Sequence, residues 1–281
     1  KIHIFLCKAS IKLKRYNNLQ QRRAAALLVK SMGAVHGVYF KYVCLSALSY
    51  AGYTYVISNG GDAPELNAMT GAAAILKYSA IMHGTIAFLF KAERGMGIIG
   101  KDCSTGKIPI WSYITFFPFH LPTRLYTYVH TKHSKKVPVA TEVQPGWWVG
   151  GCYSHELEKD WGGVIDLTVE FPETCINRTQ EYLLVMSWDG VPAEPIRLEN
   201  AAKFAVEARK KGDVLIHCAH GRGRSTTVMC AALVKAGLYP TWQEAFEKGI
   251  KPYRPVCKLN RRMRNNLTEW QAQYVDKKKT T

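Results

Sequence analysis

The alternation of hydrophobic and polar positions changes character near residue 140 and divides this 281-residue chain into two unlike regions. Upstream lie two long apolar runs. Val38 to Ile57 is interrupted only by Lys41, whose stem can snorkel its ammonium to a headgroup layer. Ala72 to Phe90, with Lys77 and His83 inside it, would span about 28 Å as a helix, enough for a hydrocarbon core. The joining stretch Asn59-Gly60-Gly61-Asp62-Ala63-Pro64-Glu65 is a turn with net negative charge. Outside the pair lie basic flanks, with eight Lys/Arg and no acid in residues 1–30, then Lys91 and Arg94. The excess of Lys/Arg outside the pair predicts a membrane hairpin with both outer ends in the cytosol. A buried helical hairpin in a soluble protein is the competing expectation. Within residues 1–34, Leu19 to Lys30 has helical composition and reads as either a disordered segment or a membrane-surface helix.

Gly95-Met96-Gly97-Ile98-Ile99-Gly100 matches a dinucleotide-loop spacing but follows an apolar helix rather than a strand, so a flexible exit from the second span is expected instead. Ile108 to Val129 is apolar and aromatic, yet Pro109, Pro118 and Pro122 break it. It suits an interfacial or re-entrant segment, with Arg124, Lys132, Lys135 and Lys136 toward anionic headgroups. His130 and His133 share a helix face without a nearby carboxylate or cysteine, which gives no metal site.

From about Thr141 short strands alternate with helices. Trp147 to Gly151, Gly163 to Thr168, Tyr182 to Val185 and Val214 to His217 read as strands. Arg197 to Lys211 reads as an amphipathic helix ended by Gly212, and Ser225 to Val234 as a buried helix with Gly237 as its C-cap. Thr241-Trp242-Gln243-Glu244 is a capping box, and a basic helix runs from about Leu259 to Tyr274. The predicted class is α/β, with a central, mainly parallel sheet flanked by helices. The expected layout is a basic segment 1–34, a membrane-embedded helical region 35–139 with spans at 38–57 and 72–90, and a catalytic domain 140–281.

Charge sharpens this division. The net charge is +17, but residues 1–139 hold 18 Lys/Arg against 4 Asp/Glu, and residues 140–281 hold 20 against 17. A basic pI alone would suggest nucleic acid. Here the basic half is also the most apolar, which points to a membrane surface and away from nucleic acid. Eight cysteines without CxxC pairs or regular spacing argue against zinc and a disulfide framework, and for a reducing compartment.

The candidate chemistry sits at the end of the last strand. Val214-Leu215-Ile216-His217 leads to Cys218, then Ala219-His220-Gly221-Arg222-Gly223, then Arg224-Ser225 at a helix start. Gly221 and Gly223 would let the backbone turn sharply and aim its N–H groups into one concavity, to which the helix N-terminus adds partial positive charge. Cys218, beside His217, two arginines and that helix, is expected to be a thiolate near neutrality. Arg224 can close a planar fork over two phosphoryl oxygens, as a lysine cannot.

His-Cys, five residues, Arg-Ser in a strand–loop–helix context resembles the signature of the cysteine-dependent protein tyrosine and dual-specificity phosphatases. The order Gly146-Trp147-Trp148-Val149-Gly150-Gly151, Val164-Ile165-Asp166-Leu167-Thr168, an acid loop and the cysteine loop is similar to the dual-specificity domain over about residues 140–275. Nothing in that resemblance covers residues 1–139. Trp188-Asp189-Gly190-Val191-Pro192 resembles the family's Trp-Pro-Asp loop without its proline. Asp189 is therefore the preferred general acid, 29 residues before Cys218, and Asp166, inside an apolar strand, is the rival. The resemblance implies that Ser225 bonds the sulfur and eases its departure. It also places Ala219, His220, Gly221, Arg222 and Gly223 around the substrate phosphate, with no cofactor or metal. Two sequons, Asn177-Arg178-Thr179 and Asn266-Leu267-Thr268, would stay unmodified in a cytosolic domain.

The expected activity is hydrolysis of phosphate monoesters through a phosphocysteine. Phosphotyrosine and phosphoserine/threonine proteins are the default substrates. A phospholipid, phosphoinositide or phosphatidylglycerophosphate, is the alternative that the basic loop and the anchor suggest. A pseudophosphatase that only binds phospho-ligands is the third reading, against which Cys218, Arg224, Ser225 and a candidate acid stand together.

Overall fold

The structure, a computed structural model, describes residues 35–59, 68–133 and 137–277. The basic segment 1–34 with its expected helix, residues 60–65 of the acidic turn, and Lys135 and Lys136 lie outside the described residues.

Helices α1 (Val35–Asn59) and α2 (Ala68–Ala92) take up the two apolar runs. They pack closely where side chains are small. A Cβ on Gly52 would stand 3.4 Å from Leu76, and one on Gly84 3.4 Å from Ser46, whose hydroxyl donates to the Ala80 carbonyl at 2.7 Å. Among the described residues one helix, Thr70–Ala92 within α2, is long and apolar enough to cross a membrane. On that measure the expected pair of spans reduces to one, because Tyr39, Tyr42, Ser46, Ser49, Tyr50 and Tyr53 dilute α1.

The glycine-bearing stretch after α2 is not a flexible exit. Met96–Ile99 forms a 3₁₀ turn that buries Ile99 and leads to the buried Lys101. Helices α3 (Ile110–Thr115) and α4 (Phe117–His133) follow. Pro122 lies inside α4 and has no N–H to give the Pro118 carbonyl. That carbonyl pairs instead with His83 Nε2 of α2, at 2.7 Å. The same proline that breaks the helical ladder thus ties α4 to α2.

Strands β1 (Ala140–Gln144), β2 (Trp147–Gly150), β3 (Trp161–Asp166), β4 (Thr179–Leu184) and β5 (Val214–His217) form one sheet in the order β1-β2-β5-β3-β4. The three pairings among the four strands from β2 to β4 are parallel, as expected. The sequence pattern missed β1. It is a short edge strand, antiparallel to β2 and irregular between Glu142 and Gln144, with little apolar signal beyond Val143. Helices α5 (Pro195–Arg209) and α6 (Arg224–Lys235) pack on one another and on the sheet. Ala201, Ala202, Ala205 and Ala208 are fully buried there. α5 ends at Arg209, and Gly212 is needed for a different reason than the expected cap. A Cβ on Gly212 would fall 3.1 Å from the Gly162 nitrogen, and one on Gly162 would fall 2.5 Å from the Gly212 nitrogen, so the two backbones pass too closely for side chains. The Thr241 hydroxyl caps α7 (Trp242–Glu244) by accepting from the Glu244 N–H, and a π-helical turn at Ala245–Ile250 continues it. α8 (Arg261–Gln271) closes the unit.

The two regions share a core. Val38, Tyr42, Ile86, Phe90, Phe116 and Phe119 of the helical layer pack in one cluster with Val169, Trp188 and Val191 of the loops beyond the sheet. The helices therefore cover the carboxyl ends of the strands, where ligands bind in open α/β sheets.

Candidate active site

β5 delivers the cysteine loop to that edge. Gly221 has a φ of +63°, and a Cβ there would lie 2.6 Å from the Gly150 carbonyl, so the loop closes onto β2 only with glycine. Gly223, expected to turn the chain the same way, has φ −124° and is the residue before α6. It lacks a side chain where Met263 stands 3.0 Å away. Arg254, which sequence reasoning missed, braces the loop from the far side. Its guanidinium donates to the carbonyls of Gly221 (2.9 Å) and His220 (3.4 Å), and to Pro138 and Thr141.

Cys218 is buried, with its sulfur 3.4 Å from the Ser225 hydroxyl. Burial opposes its ionisation. Arg224, the Ser225 hydroxyl and the N–H groups of Ser225 and Arg222 outweigh that and hold the thiol below its ordinary value. Arg224 is also buried. It donates to the carbonyls of Leu167 (3.0 Å) and Ser187 (2.7 Å) and to Glu170 (2.6 Å). Glu170 in turn accepts from the Val169 N–H at 2.9 Å. The guanidinium is thus fixed in orientation, while its buried Nε–H has no partner within the protein. A fixed cation with a spare donor beside a thiolate suits an oxyanion.

Asp189 faces the same guanidinium, Oδ1 to Nη2 at 3.3 Å, with its side chain 44% exposed. Desolvation raises its carboxyl, but Arg224, His220 and Lys41 together hold it below the usual carboxylate range. The rival, Asp166, is fully buried. It accepts from the Lys101 ammonium, from the Thr168 N–H (2.7 Å) and hydroxyl (2.8 Å), and from Tyr182 (3.1 Å). A carboxylate so saturated has no proton to deliver, which favours Asp189 as the acid.

His217 lies behind the cysteine. Its Nε2 bonds Glu173 at 2.6 Å and stands 3.7 Å from Asp166. Burial would discharge the imidazole, but Glu173 and Asp166 prevail and push it up to about 9. Asp166, Glu173 and His217 bring their ligand atoms within 4.8 Å, as a metal site would. Any ion there would compete with the Lys101 ammonium and the His217 imidazolium, so the donor set does not suit one. Glu170 and Glu173 could have been flagged as two acids in the otherwise apolar stretch Val169 to Glu173. Nothing local in the sequence marks Lys101, which arrives from the helical layer.

The rim departs from expectation at His220. Burial pushes its imidazole down to about 4; Asp189 pulls the other way, while His130, Arg222 and Arg224 add to the lowering. The His130 ring lies 4.9 Å from it. His220 is therefore neutral near pH 7, and the positive rim comes from Arg222 and from Lys41 on α1. Lys41 does not snorkel away; its ammonium stands 4.8 Å over the Tyr126 ring and beside the pocket that reaches Asp189. Ala219 lines that same pocket.

No protein-family model matches the chain, and no curated protein matches it. Solved structures similar to it include Tk-PTP in the active form, at 23% identity over 48% of this chain and 98% of that one, with a TM-score of 0.43. Human DUSP28 is similar at 21% identity over 48% and 95%, with a TM-score of 0.41. PTPMT1 in complex with PI(5)P is similar at 17% over 48% and 96%, with a TM-score of 0.40. At this level of likeness the functional reading rests on the side chains of the site.

Proposed function

We propose that this chain is a cysteine-dependent phosphomonoester hydrolase of the dual-specificity type, held at a membrane by its helical layer. The observation that carries the reading is the convergence of Cys218, Arg224 and Asp189. A depressed thiol, a fixed guanidinium with a spare Nε–H, and an exposed carboxyl face one point. In the first step the Cys218 thiolate attacks phosphorus, an S–P bond forms and the ester P–O bond breaks. The leaving oxygen takes its proton from Asp189. A phosphate dianion on Arg224 replaces Asp189 as that cation's partner, so substrate binding itself raises the Asp189 carboxyl toward the protonated form that the step needs. In the second step Asp189 takes a proton from water, which displaces sulfur. Ser225 bonds the departing thiolate, and phosphate leaves. His217 and its acids do not reach the substrate; they fix the strand end that presents Cys218.

Release of inorganic phosphate by the full chain tests this. Cys218→Ser is expected to lower turnover by about 10⁴-fold or more while still binding phosphate. Near-normal turnover would exclude the phosphocysteine. Asp189→Asn should slow alkyl and phenyl esters at least tenfold more than a nitrophenyl ester, whose leaving group scarcely needs a proton. The same selectivity in Asp166→Asn instead would reassign the acid. The membrane reading is supported by α2 and by the apolar exterior of the helical layer, and the catalytic unit then faces the reducing cytosol. Glycosylation at Asn177 or Asn266 in cells would contradict that orientation.

A further inference from the structure

A cavity of about 320 Å³ runs between the helical layer and the cysteine loop. Its walls are apolar, formed by Tyr42 and Leu45 of α1, Phe90 of α2 and Phe119 of α4. At one end stand the general acid Asp189 and the loop residues Ala219 and His220. Lys41 and the exposed Cys44 of α1 also line it. It is thus a pocket of ordinary ligand size, mostly apolar, with Asp189, Glu170, His220 and Lys41 as its ionisable lining beside Thr123 and Thr127. The surface around it is apolar as well: Phe40, Val43, Leu48 and Leu121 are exposed on the same helices.

We infer that this cavity holds the hydrocarbon part of the substrate, so that the chain acts on a lipid phosphomonoester rather than on a phosphoprotein. This rests on the phosphatase reading above and names its substrate class. Three observations carry it. The apolar walls belong to the region that the catalytic unit does not supply for itself. The cavity meets the reacting groups at Asp189, so a phosphate on Cys218 and a chain among Phe90 and Phe119 can belong to one molecule. Lys41 lines the same cavity and acts on Asp189 by its charge, so a cation is at hand for a phosphate ester whose tail lies among the apolar walls. A phosphopeptide side chain would leave the walls formed by Leu45, Phe90 and Phe119 uncovered.

The test is a series of alkyl phosphates from two to ten carbons, with nitrophenyl phosphate and a phosphotyrosine peptide, on the full chain in bilayer discs. The expected kcat/KM rises about fourfold per methylene until the cavity is filled. Partition into the bilayer adds the same slope to every variant, so the reading is the difference between wild type and Cys44→Trp, which narrows the cavity. A flatter slope in Cys44→Trp is expected; equal slopes, or a wild-type series no steeper than partition with the peptide preferred, overturn the inference. A misfolded variant lowers every ester alike and leaves its slope intact, and Leu45→Trp gives a second reading from another wall. If no ester is hydrolysed at all, the phosphatase reading fails. The affinity of the same series for Cys218→Ser and Cys218→Ser/Cys44→Trp proteins then decides the chain site separately, by the same difference in slope.

Discussion

Apolar side chains of the same kind lie on opposite sides of the surface in the two regions. Phe88 and Ile110 of the helical layer are 69% and 77% exposed, whereas Ile165 and Leu215 of the sheet are not exposed at all. Outside the helical layer, the exposed large hydrophobics are Leu157, Ile196, Leu238 and Tyr253 alone among the described residues. The charges are distributed the other way. The sheet-bearing unit buries Asp166, Glu170, Glu173, His217 and Arg224, each paired. An exterior that remains apolar over whole helices suits an apolar surrounding, and a charged interior suits the binding of an anion that the proposed function asks of it. The regions are not independent for all that, since Trp188, beside Asp189, stacks on Phe90 at 4.5 Å and donates to the Arg94 carbonyl at 2.8 Å.

The strongest way to break the comparison is through a buried ion pair that joins the two regions. Lys101 comes from the linker after α2, and Asp166 from β3. Lys101→Met would leave Asp166 buried without its cation, at a cost of about 3–5 kcal/mol. The denaturation midpoint of the full chain measures this. If the regions folded separately, the loss would be confined to the linker and the sheet transition would not move.

A smaller effect comes from the charged interior itself. His217 is raised from an unfolded value near 6.5 to about 9, so its contribution to stability is fully present below the lower value and lost as pH rises through the upper one. Asp166 and Glu173 are lowered despite their burial, chiefly through Lys101 and His217 for the first and His217 for the second. Their contribution is present above the ordinary carboxylate range and lost as pH falls through their lower folded values. Unfolding at a series of pH values should show stability declining between pH 7 and 10, by roughly 2–3 kcal/mol. Glu173→Gln should flatten that decline by lowering the His217 value. An unchanged slope would mean that Glu173 does not hold the proton on the imidazole, and no decline in the wild type would mean that the imidazole is neutral in the fold.

How much of this was legible in sequence follows from how far apart the partners are. Cys218, Arg224 and Ser225 lie within one loop, whose chemistry depends on local backbone, and they could be read directly. Asp189 is preferred over Asp166 because a general acid needs exposure; in the fold Asp189 is the more exposed of the two and Asp166 is fully buried. Lys101, Glu170, Glu173 and Arg254 act through partners between 44 and 65 positions away or, for Arg254, 33 positions away, at Gly221. No period or spacing encodes such pairings. Gly223 was misread because its need is space beside Met263, which arrives from α8. The same holds for His220, whose neutrality is imposed first by burial and then by His130 from α4 together with Arg222 and Arg224 of its own loop.

The smallest expected effect sharpens the comparison most directly. Phe88 on α2 and Ile110 on α3 are exposed, so replacing each by serine removes little packing. Stability in mild detergent should shift by no more than about 0.5 kcal/mol per site. Leu215→Ala, at a fully buried site in the sheet, should cost about 2–5 kcal/mol in the same assay. Association with vesicles should reverse the order. Each serine removes an apolar side chain worth about 1.5–3 kcal/mol when buried, so Phe88→Ser and Ile110→Ser together should weaken retention at least tenfold. Leu215→Ala should leave retention of the folded fraction unchanged. If the two serines destabilise the chain as Leu215→Ala does, and retention does not fall, then the apolar exterior is covered by protein and not by lipid.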